Sequence, residues 1–383
     1  MGLTLGSLTV DPPVVLAPMA GITNPAFRAL CRQHGGRVRG AGAPGIPGLY
    51  VSEMVTARAL VEGNAKTKRM VAFAPDESPR SVQLYGVDPV TIAEAVRILI
   101  GEHDVDHVDL NFGCPVAKVT RKGGGAALPL HHVLLRRIVG SAVRVAAIDR
   151  VPLTIKFRMG VDADHRTDIA TGRIAEDEGA SAVALHARTA EQGYSGAADW
   201  DAIAALKSSL RIPVLGNGDI WDADDALAMM AKTGCDGVVV GRGCLGRPWL
   251  FRDLADAFAG RAPRPAPTLG EVVAVMRQHA QLLVEHLGEG NGVPDFRKHI
   301  SWYLLGYPAG ARVRQALPAA QSLGELDSLL DELDPSQTVV DGRAPSPRGT
   351  TYGPRRVVLP AGWLDDVDDP RPPAGAELLV SGG

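Results

Sequence analysis

Between about residues 14 and 243 one pattern occurs eight times: a short run rich in β-branched residues is followed by a longer amphipathic stretch. Such alternation is typical of parallel strands joined by crossover helices. A doubly wound open sheet and a closed barrel both have it. An open sheet rarely needs eight regular units, and no Gly-x-Gly-x-x-Gly motif follows the first run, so the sequence predicts a (β/α)8 TIM barrel. The predicted strands are Val14–Ala17, Tyr50–Ser52, Ser81–Leu84, His107–Leu110, Leu153–Phe157, Ala182–His186, Val214–Leu215 and Val238–Val240.

The rest of the 383-residue chain divides by composition. Gly35–Gly48 is rich in Gly, Pro and Arg and predicts a flexible insertion before the second strand. Arg261–Pro267 predicts a stiff linker after a barrel domain of residues 1–260. Helical spacing over Leu269–Leu287, Phe296–Leu305 and Ala311–Leu333 predicts a small helical domain, residues 268–333. The Pro-, Gly-, Arg- and Asp-rich residues 334–383 predict a tail that is mostly disordered or draped over the surface.

The global composition excludes several classes of protein. No run of about 18 apolar residues and no signal peptide is present, so we expect a cytoplasmic protein without a membrane partner. The net charge is −3, so binding to a polyanion would have to depend on local basic clusters. Cys31, Cys235 and Cys244 are interpreted as buried structural thiols. His186 has no companion at metal-ligand spacing, so no metal is expected. We expect a monomer.

In a barrel of this kind the active site lies where the strands end at their carboxyl side. Polar or conformationally special residues occur at all eight predicted ends, which is hard to explain by surface loops alone. These are Pro18-Met19-Ala20, Glu53, Gln83, Asn111 with Cys114, Lys156 with Arg158, His186 with Arg188, Asn217-Gly218-Asp219 and Gly241-Arg242.

The loops after strands seven and eight indicate a phosphate site. Gly216–Ile220 and Gly241–Gly243 contain glycines that let backbone amides approach an anion, and Arg242 adds a charged, planar donor group. Tight turns alone would also account for the glycines. Flavin mononucleotide (FMN) suits the remaining residues: Gln83 can bind an imide edge, and Lys156 can stabilise an anionic reduced ring. Met19 either packs against the ring or belongs to the core.

Cys114 lies in Asn111-Phe112-Gly113-Cys114-Pro115, directly after the fourth strand. A thiol has an ordinary pKa of about 8.5, so it is mainly protonated near neutral pH and can act as an acid. Reduction of a conjugated C=C bond by a flavin needs such an acid at the second carbon. We therefore predict that Cys114 is a proton donor rather than a buried structural thiol.

Two basic clusters favour RNA as a partner. Lys118, Arg121 and Lys122 follow the cysteine loop without an acidic residue between them. Arg297 and Lys298 belong to a second cluster that also contains Trp302, Tyr303, Arg312 and Arg314. Aromatic residues beside positive charge suit unstacked bases and phosphates, although these aromatics also fit a helix core.

Together these motifs resemble the tRNA-dihydrouridine synthases, the bacterial branch in particular, from about Val14 to Leu330. The motifs are Ala17–Asn24, Ser52-Glu53-Met54, Val82-Gln83-Leu84, Asn111–Pro115, Lys118 with Arg121 and Lys122, Lys156-Phe157-Arg158, His186–Thr189, Asn217–Ile220, Gly241-Arg242 and Arg297–Leu304. The ordered pair Asn-x-Gly-Cys-Pro and His-x-Arg-Thr is highly specific. The Gly35–Gly48 insertion and the tail exceed the bacterial pattern.

The resemblance implies that NADPH reduces bound FMN, that hydride passes to C6 of a uracil in the tRNA D-loop region, and that Cys114 protonates C5. The target base must leave its stack. The implied cofactor contacts are Pro18, Met19, Ala20, Gln83, Lys156, His186, Asn217, Gly218, Asp219, Gly241 and Arg242. The implied substrate contacts are Asn111, Lys118, Arg121, Lys122, Arg158, Arg188, Arg297 and Lys298.

Three alternatives remain open. A flavin barrel that reduces a small pyrimidine or enone would share the phosphate loops but would not need a basic helical domain. A catalytically idle RNA-binding protein would be favoured by loss of Cys114, Lys156 or Gln83, and all three are present. A metal-dependent barrel hydrolase has the least support.

Overall fold

Eight parallel strands close into a barrel in the computed structural model, which describes residues 2–36, 46–340, 349 and 353–376. Ordering the strands along the chain gives β1 (Leu3–Leu5), β2 (Leu8–Val10), β3 (Val14–Leu16), β4 (Leu49–Thr56), β5 (Ser81–Tyr85), β6 (His107–Phe112), β7 (Leu153–Arg158), β8 (Ala182–His186), β9 (Val214–Asn217) and β10 (Gly237–Val240). The barrel consists of β3 to β10, and parallel pairing of β10 with β3 closes it. The predicted TIM barrel is confirmed.

Each predicted strand corresponds to one barrel strand, although several bounds differ. β4 shows the largest difference, since it begins at Leu49 and continues to Thr56. Its register against β5 shifts between Val51 and Met54, where an irregularity interrupts the alternation of the side chains. Because such an irregularity breaks the period of two, the alternation of side chains does not reveal the full length of the strand.

The antiparallel hairpin β1–β2 was not predicted. Leu3, Leu5 and Val10 are buried and pack with side chains inside the barrel, among them Val15 and Leu215. The hairpin therefore fills the amino-terminal end of the barrel and leaves the carboxyl end for a site. Its three-residue strands are too short to show a period of two.

Helices cover the outside of the barrel. They are α1 (Pro25–Gly35), α2 (Ala57–Val61), α3 (Ala65–Met70), α4 (Pro89–His103), α5 (Ala117–Thr120), α6 (His132–Ile148), α7 (Asp168–Asp177), α8 (Trp200–Ser209), α9 (Ala223–Thr233) and α10 (Leu250–Phe258). Local chemistry sets their ends: Asp222 and Asp225 form a capping box at the start of α9, and Gly234 ends it in the left-handed conformation. Within the described ranges, no helix has both the length and the apolar character that a membrane span requires.

Four further helices follow residues 261–267, which have no regular structure: α11 (Leu269–Leu287), α12 (Glu289–Tyr303), α13 (Ala311–Ala316) and α14 (Leu323–Leu330). They share a core of their own that includes Met276 and Phe296. α12 begins at Glu289 rather than at Phe296, because Pro294 and nearby glycines weaken the helical pattern. One of these glycines, Gly292, is needed where α12 crosses α11, since a Cβ there would lie 2.7 Å from the backbone of Val284.

For residues 334–383, which we predict to be mostly disordered or draped over the surface, the described parts agree with the second alternative. The carbonyl of Gln337 accepts a hydrogen bond from the amide of Leu269 at the start of α11, and the amide of Val340 donates to the carbonyl of Gly306 between α12 and α13. Residues 353–376 lie against the barrel, and Trp363 is buried in its core with 6% of its surface exposed. Composition alone does not predict this packing, because the apolar residues of the segment are scattered and have no period. Residues 341–348, 350–352 and 377–383 lie outside the described residues, as do residues 37–45 of the predicted insertion.

Arg28 on α1 forms a fully buried ion pair with Glu77, with Nε–Oε1 2.5 Å and Nη2–Oε2 3.0 Å. Its guanidinium also donates to the carbonyls of Thr23 and Ala72. We predict that Arg28→Ala lowers the free energy of unfolding by about 3–5 kcal/mol, because it leaves the Glu77 carboxylate buried without a partner.

The measurement is urea unfolding of the flavin-free protein. The control is Arg97→Ala, which breaks an exposed pair with Glu94 and should cost about 1 kcal/mol or less. Equal losses for the two variants would contradict this prediction.

Candidate functional site

Pairing between neighbouring strands brings the predicted site residues together at the carboxyl end of the barrel. The parallel registers pair Gln83 with Asp109, Asn111 with Lys156, Arg158 with His186, and His186 with Asn217. Residues that are far apart in sequence therefore form one rim, as barrel geometry predicts.

A pocket opens on one side of this rim. Its walls come from the ends of β3, β7, β8, β9 and β10, which include both predicted phosphate loops. The lining residues are Ala17, Pro18, Met19, Lys156, His186, Arg188, Tyr194, Asn217, Gly218, Asp219, Ile220, Trp221, Val239, Gly241, Arg242 and Gly243. Ala20, also a predicted cofactor contact, is exposed and lies outside the lining.

Arg242 and Arg188 give this pocket its positive charge. The Arg242 guanidinium lies over the rings of Tyr194 and Trp221, 4.3 and 5.0 Å from their centroids. Arg188 forms an ion pair with Asp219 at 2.7 Å, and Asp219 lies 3.7 Å from Arg242. Asp219 thus orients two arginines, and its predicted cofactor contact stays a prediction. One guanidinium nitrogen, Nη1, of each arginine is buried without a hydrogen-bond partner.

His186 is surrounded by positive charge. Burial lowers its pKa well below the ordinary value, and the nearby charges of Arg158, Lys156 and Arg188 lower it further. The imidazole is therefore neutral at physiological pH. Burial also lowers the pKa of Lys156 to about 8. Such a concentration of cationic groups is stabilised by an anionic ligand.

The residues present fit the phosphate of a flavin nucleotide. The unpartnered Nη1 atoms of Arg188 and Arg242 are donors without acceptors, which a phosphate can satisfy. A Cβ added at Gly241 would meet no atom closer than 3.6 Å, so that backbone is open to the pocket. Gly218 has a φ of 129°, which only glycine adopts readily, and it turns the chain after β9.

The Cys114 loop is held by Asn111. The Asn111 Oδ1 atom accepts hydrogen bonds from the backbone amides of Gly113 and Cys114, at 3.1 and 2.9 Å. The carbonyl of Cys114 accepts from the amide of Ala126 at 3.0 Å. Cys114 itself is partly exposed. Burial raises the pKa of its thiol, so the thiol is protonated at neutral pH.

Arg158 lies under this loop, with its guanidinium donating to the carbonyls of Gly113, Thr189 and Gly193 at 2.9–3.0 Å. It is buried and connects the loop after β6 to the loop after β8. These contacts support a positioning role for Arg158, and its predicted substrate contact stays a prediction. It also places a positive charge near the Cys114 thiol.

A hydrogen-bonded chain of buried polar side chains supports the rim from inside the barrel. The Gln83 Nε2 atom donates to Asp109 at 2.7 Å, and the Gln83 Oε1 atom accepts from Asn111 at 2.8 Å. Thr154 donates to the other oxygen of Asp109 at 2.6 Å. Gln83 is only 1% exposed, and both ends of its amide are engaged. It therefore orients Asn111, and its predicted flavin contact is not tested by these distances.

His107 extends this chain further into the barrel. Burial lowers the pKa of His107 to about 3, so the ring is neutral. Its Nε2 lies 3.0 Å from Thr154 Oγ1, and its Nδ1 lies 2.8 Å from Ser81 Oγ. Because the Thr154 hydroxyl donates to Asp109, the histidine must donate to Thr154 and accept from Ser81. Every donor in the chain thus points toward the Asp109 carboxylate.

Sequence reasoning missed Asp109, although a signal was present. His107, Asp109 and Asn111 alternate along β6, so they point to the same side of the strand. Three polar residues facing the inside of a barrel indicate a buried network rather than a packed core. Burial raises the pKa of Asp109 from 3.8 to about 6, although Thr154, Gln83 and Lys156 each act to lower it.

The two basic clusters differ in availability. Lys118 and Arg121 are exposed beside the cysteine loop, and Lys118 and Lys122 line a second pocket that also includes Tyr85. In the C-terminal helices, Lys298 pairs with Asp295 at 2.6 Å and Arg297 donates to the carbonyl of Ala320.

Other members of the second cluster have structural contacts. Arg312 pairs with Glu332, and Arg314 donates to the carbonyls of Leu304 and Tyr307. Tyr303 is buried and bonded to His279, so it belongs to the helix core. Several residues of the second cluster are thus engaged in contacts within the protein, and they are less available to RNA than the sequence indicates. Lys298 nevertheless lies near Gly21, in the loop after β3.

Fold and site together define a (β/α)8 barrel that has a cationic pocket and a protonated thiol at its carboxyl rim. The model of the dihydrouridine synthase (Dus) family matches residues 15–339. The chain is 56% identical over 382 residues to a probable tRNA-dihydrouridine synthase of Mycobacterium tuberculosis (strain H37Rv), with 100% of this chain and 97% of the relative covered. It is 38% identical over 320 residues to tRNA-dihydrouridine synthase B of Xanthomonas campestris pv. campestris, with 84% and 92% covered.

Solved structures with a similar fold include morphinone reductase (14% identity, 70% of this chain and 91% of that chain, TM-score 0.43). Another is 2-naphthoyl-CoA reductase (12% identity, 68% and 52% covered, TM-score 0.49). The chain belongs to the dihydrouridine synthase family, and it is a flavin-dependent oxidoreductase of the kind that acts on CH–CH groups. The resemblance predicted from its motifs is confirmed.

We predict that Asp109→Asn destabilises the flavin-free protein by about 1–3 kcal/mol, because an amide in place of the carboxylate cannot accept from both Gln83 and Thr154. The control is Asp149→Asn at an exposed position. Native Asp109 has a pKa of about 6 against an ordinary value of 3.8. Wild-type stability therefore contains a contribution that is lost as the pH rises through this interval, since the native state binds the proton more tightly.

The Asn variant lacks that contribution, so the stability gap between the two variants should narrow as the pH rises from about 4 to about 6. Denaturant unfolding at a series of pH values measures it. A gap that stays constant or widens would show that Asp109 does not titrate in this range.

Proposed function

We propose that this protein reduces the C5=C6 bond of specific uridines in tRNA to 5,6-dihydrouridine, with FMN as cofactor and NADPH as reductant. The observation that carries this proposal is the position of a protonated thiol, Cys114, at the same barrel rim as a cationic pocket that fits a flavin phosphate. The names of its relatives support tRNA as the substrate. We also propose that it acts as a monomer in the cytoplasm.

The chemistry that a reduced flavin supplies when bound is hydride transfer, here to C6 of the uracil. Cys114 then donates the S–H proton to C5 and is left as a thiolate, which takes up a proton from water. The nearby Arg158 charge and the backbone amide of Val116 stabilise that thiolate, since both lower the pKa of the thiol. Lys156 holds positive charge where the rim meets the pocket.

Substrate binding depends on the first basic cluster. Lys118, Arg121 and Lys122 follow the cysteine loop directly, and we expect them to contact phosphates near the flipped uridine. Lys298 approaches the opposite side of the rim, near Gly21. Contacts from Lys298 and Arg297 would require their present partners to be exchanged for phosphate. The decisive test is to map dihydrouridine in tRNA from cells with and without the protein.

If the mapping finds no difference, the proposed substrate is wrong. Reduction of a free pyrimidine or an enone by the purified protein would then support a small-molecule flavin barrel instead.

We predict that Arg242→Met raises the Kd for FMN by about 10- to 100-fold, because a charge-assisted hydrogen bond to the phosphate is lost. Methionine keeps most of the packing against Tyr194 and Trp221. Titration of the flavin-free protein, followed by flavin fluorescence, measures the Kd. The control is Arg252→Met, since Arg252 pairs with its neighbour Asp253 on α10 and does not line the pocket. Similar Kd values for both variants would rule out a phosphate contact by Arg242.

We predict that Cys114→Ala keeps FMN and is reduced by NADPH at the normal rate, but forms dihydrouridine about 10²- to 10⁴-fold more slowly. The loss concerns only the proton donor, so binding and flavin reduction are spared. Single-turnover assays on tRNA measure the product, and Cys235→Ala, a buried thiol away from the pocket, is the control. Normal product formation by Cys114→Ala would exclude the acid role.

A further inference from the structure

Residues 353–376, here called the strap, lie beyond the part of the chain that the family model matches, and they cross the outer edge of the active-site rim. At the start of the strap, the amide of Arg355 donates to the carbonyl of Glu191 in the loop after β8 at 2.9 Å. Further on, Arg137 of α6 donates to the carbonyl of Pro370 at 2.8 Å. Ala376, at its described end, lines the pocket that contains Lys118 and Lys122.

Trp363 attaches the strap to the segment that follows Cys114. Its indole stacks on the ring of His131, with centroids 3.6 Å apart, and its Nε1 donates to the carbonyl of Ala127 at 3.0 Å. His131 Nε2 lies 2.8 Å from the carbonyl of Trp363. Trp363 thus both donates a hydrogen bond to this segment and accepts one from it, and these contacts fix the position of the indole.

The same indole closes over the glycines of the basic loop. A Cβ at Gly123 would lie 2.7 Å from Pro373 and 2.8 Å from Trp363, so the strap leaves room only for glycine there. A Cβ at Gly125 would lie 2.4 Å from the carbonyl of Cys114. The loop from Lys118 to Gly125 is therefore packed between the strap on one side and the Cys114 loop on the other.

This loop needs such support. Lys118, Arg121 and Lys122 repel one another, and the left-handed glycines 123 and 125 give the backbone freedom. The short helix α5 has no side-chain cap. Without an external contact, the lysines would have to be ordered each time RNA binds, at a cost in affinity.

We propose that Trp363 is a positioning residue for tRNA: it holds the basic loop at residues 118–125 in its RNA-binding arrangement beside Cys114. This inference rests on the proposed function, and it assigns to the strap the role of ordering part of the tRNA site. Trp363 itself does not touch the reacting atoms.

The test uses the full-length, FMN-loaded protein with Trp363→Ala, and with Leu364→Ala as the matched control at the exposed neighbouring position. We expect Trp363→Ala to raise the KM for tRNA about tenfold, because two or three loose side chains must be ordered on binding. The FMN content and the rate of flavin reduction by NADPH should not change. Hydrogen exchange of peptides covering residues 115–131 should become faster in Trp363→Ala and not in Leu364→Ala.

Pro373→Ala provides a milder variant should Trp363→Ala fold poorly, because it removes a contact with Gly123 and leaves the indole in place. It should show a smaller change in the same two measurements. Unchanged exchange and unchanged KM in these variants would overturn the proposal. So would a loss of FMN equal to the loss in tRNA affinity, because that result would indicate general destabilisation.

If the proposed function is wrong, the same experiments give a different result. In that case the wild-type protein forms no dihydrouridine at all, whereas the hydrogen-exchange comparison still reports whether Trp363 orders residues 115–131.

Discussion

Pairing of β10 with β3 is the interaction on which the site depends. Val238, Val239 and Val240 align with Val14, Val15 and Leu16, and this ladder closes the sheet. Closure brings the loop after the first barrel strand next to the loop after the last, so that Met19 approaches Gly241. In an open sheet these two loops would lie at opposite edges. The pocket that fits a phosphate therefore exists only because the barrel is closed.

The barrel interior is more polar than a packed core requires. The chain from Ser81 through His107 and Thr154 to Asp109 buries four polar side chains, each with a partner. Burial of such a network costs desolvation energy, and a core of apolar residues would be more stable. It has one evident use, because its last members, Gln83 and Asn111, set the position of the Cys114 backbone. The network therefore lowers the stability of the core, but it fixes the positions of residues at the rim.

Cationic groups on the other side of the rim are balanced only in part. Asp219 is held against Arg188 and Arg242, while Lys156 and Arg158 add charge that it does not neutralise. Burial lowers the pKa of both Lys156 and Arg158, so removal from water disfavours their charged forms. A bound anion would relieve this cost. The arrangement therefore favours binding of a phosphate over an empty pocket.

The sequence predicts the barrel and most rim positions because both follow from periodicity, which is a local signal. It did not predict features that depend on contacts between distant segments. The three backbone carbonyls that accept hydrogen bonds from Arg158 are one example, because only the folded loops bring them together. Trp363 stands in a segment without a period, and its burial depends on His131 and Ala127, more than 200 residues earlier. Asp109 was predictable in principle from alternation along β6.

These contacts favour the proposed role of Cys114 as an acid over a role as a nucleophile. Nucleophilic cysteines have a lowered pKa, commonly from a helix N-terminus or a free cation close by. The nearest guanidinium, Arg158, is committed to backbone carbonyls, and burial outweighs its effect on the thiol. The proton is therefore retained until a stronger base appears, such as the enolate-like carbon left by hydride transfer. Once the proton has moved, the Val116 amide and Arg158 stabilise the thiolate, so one environment serves both states.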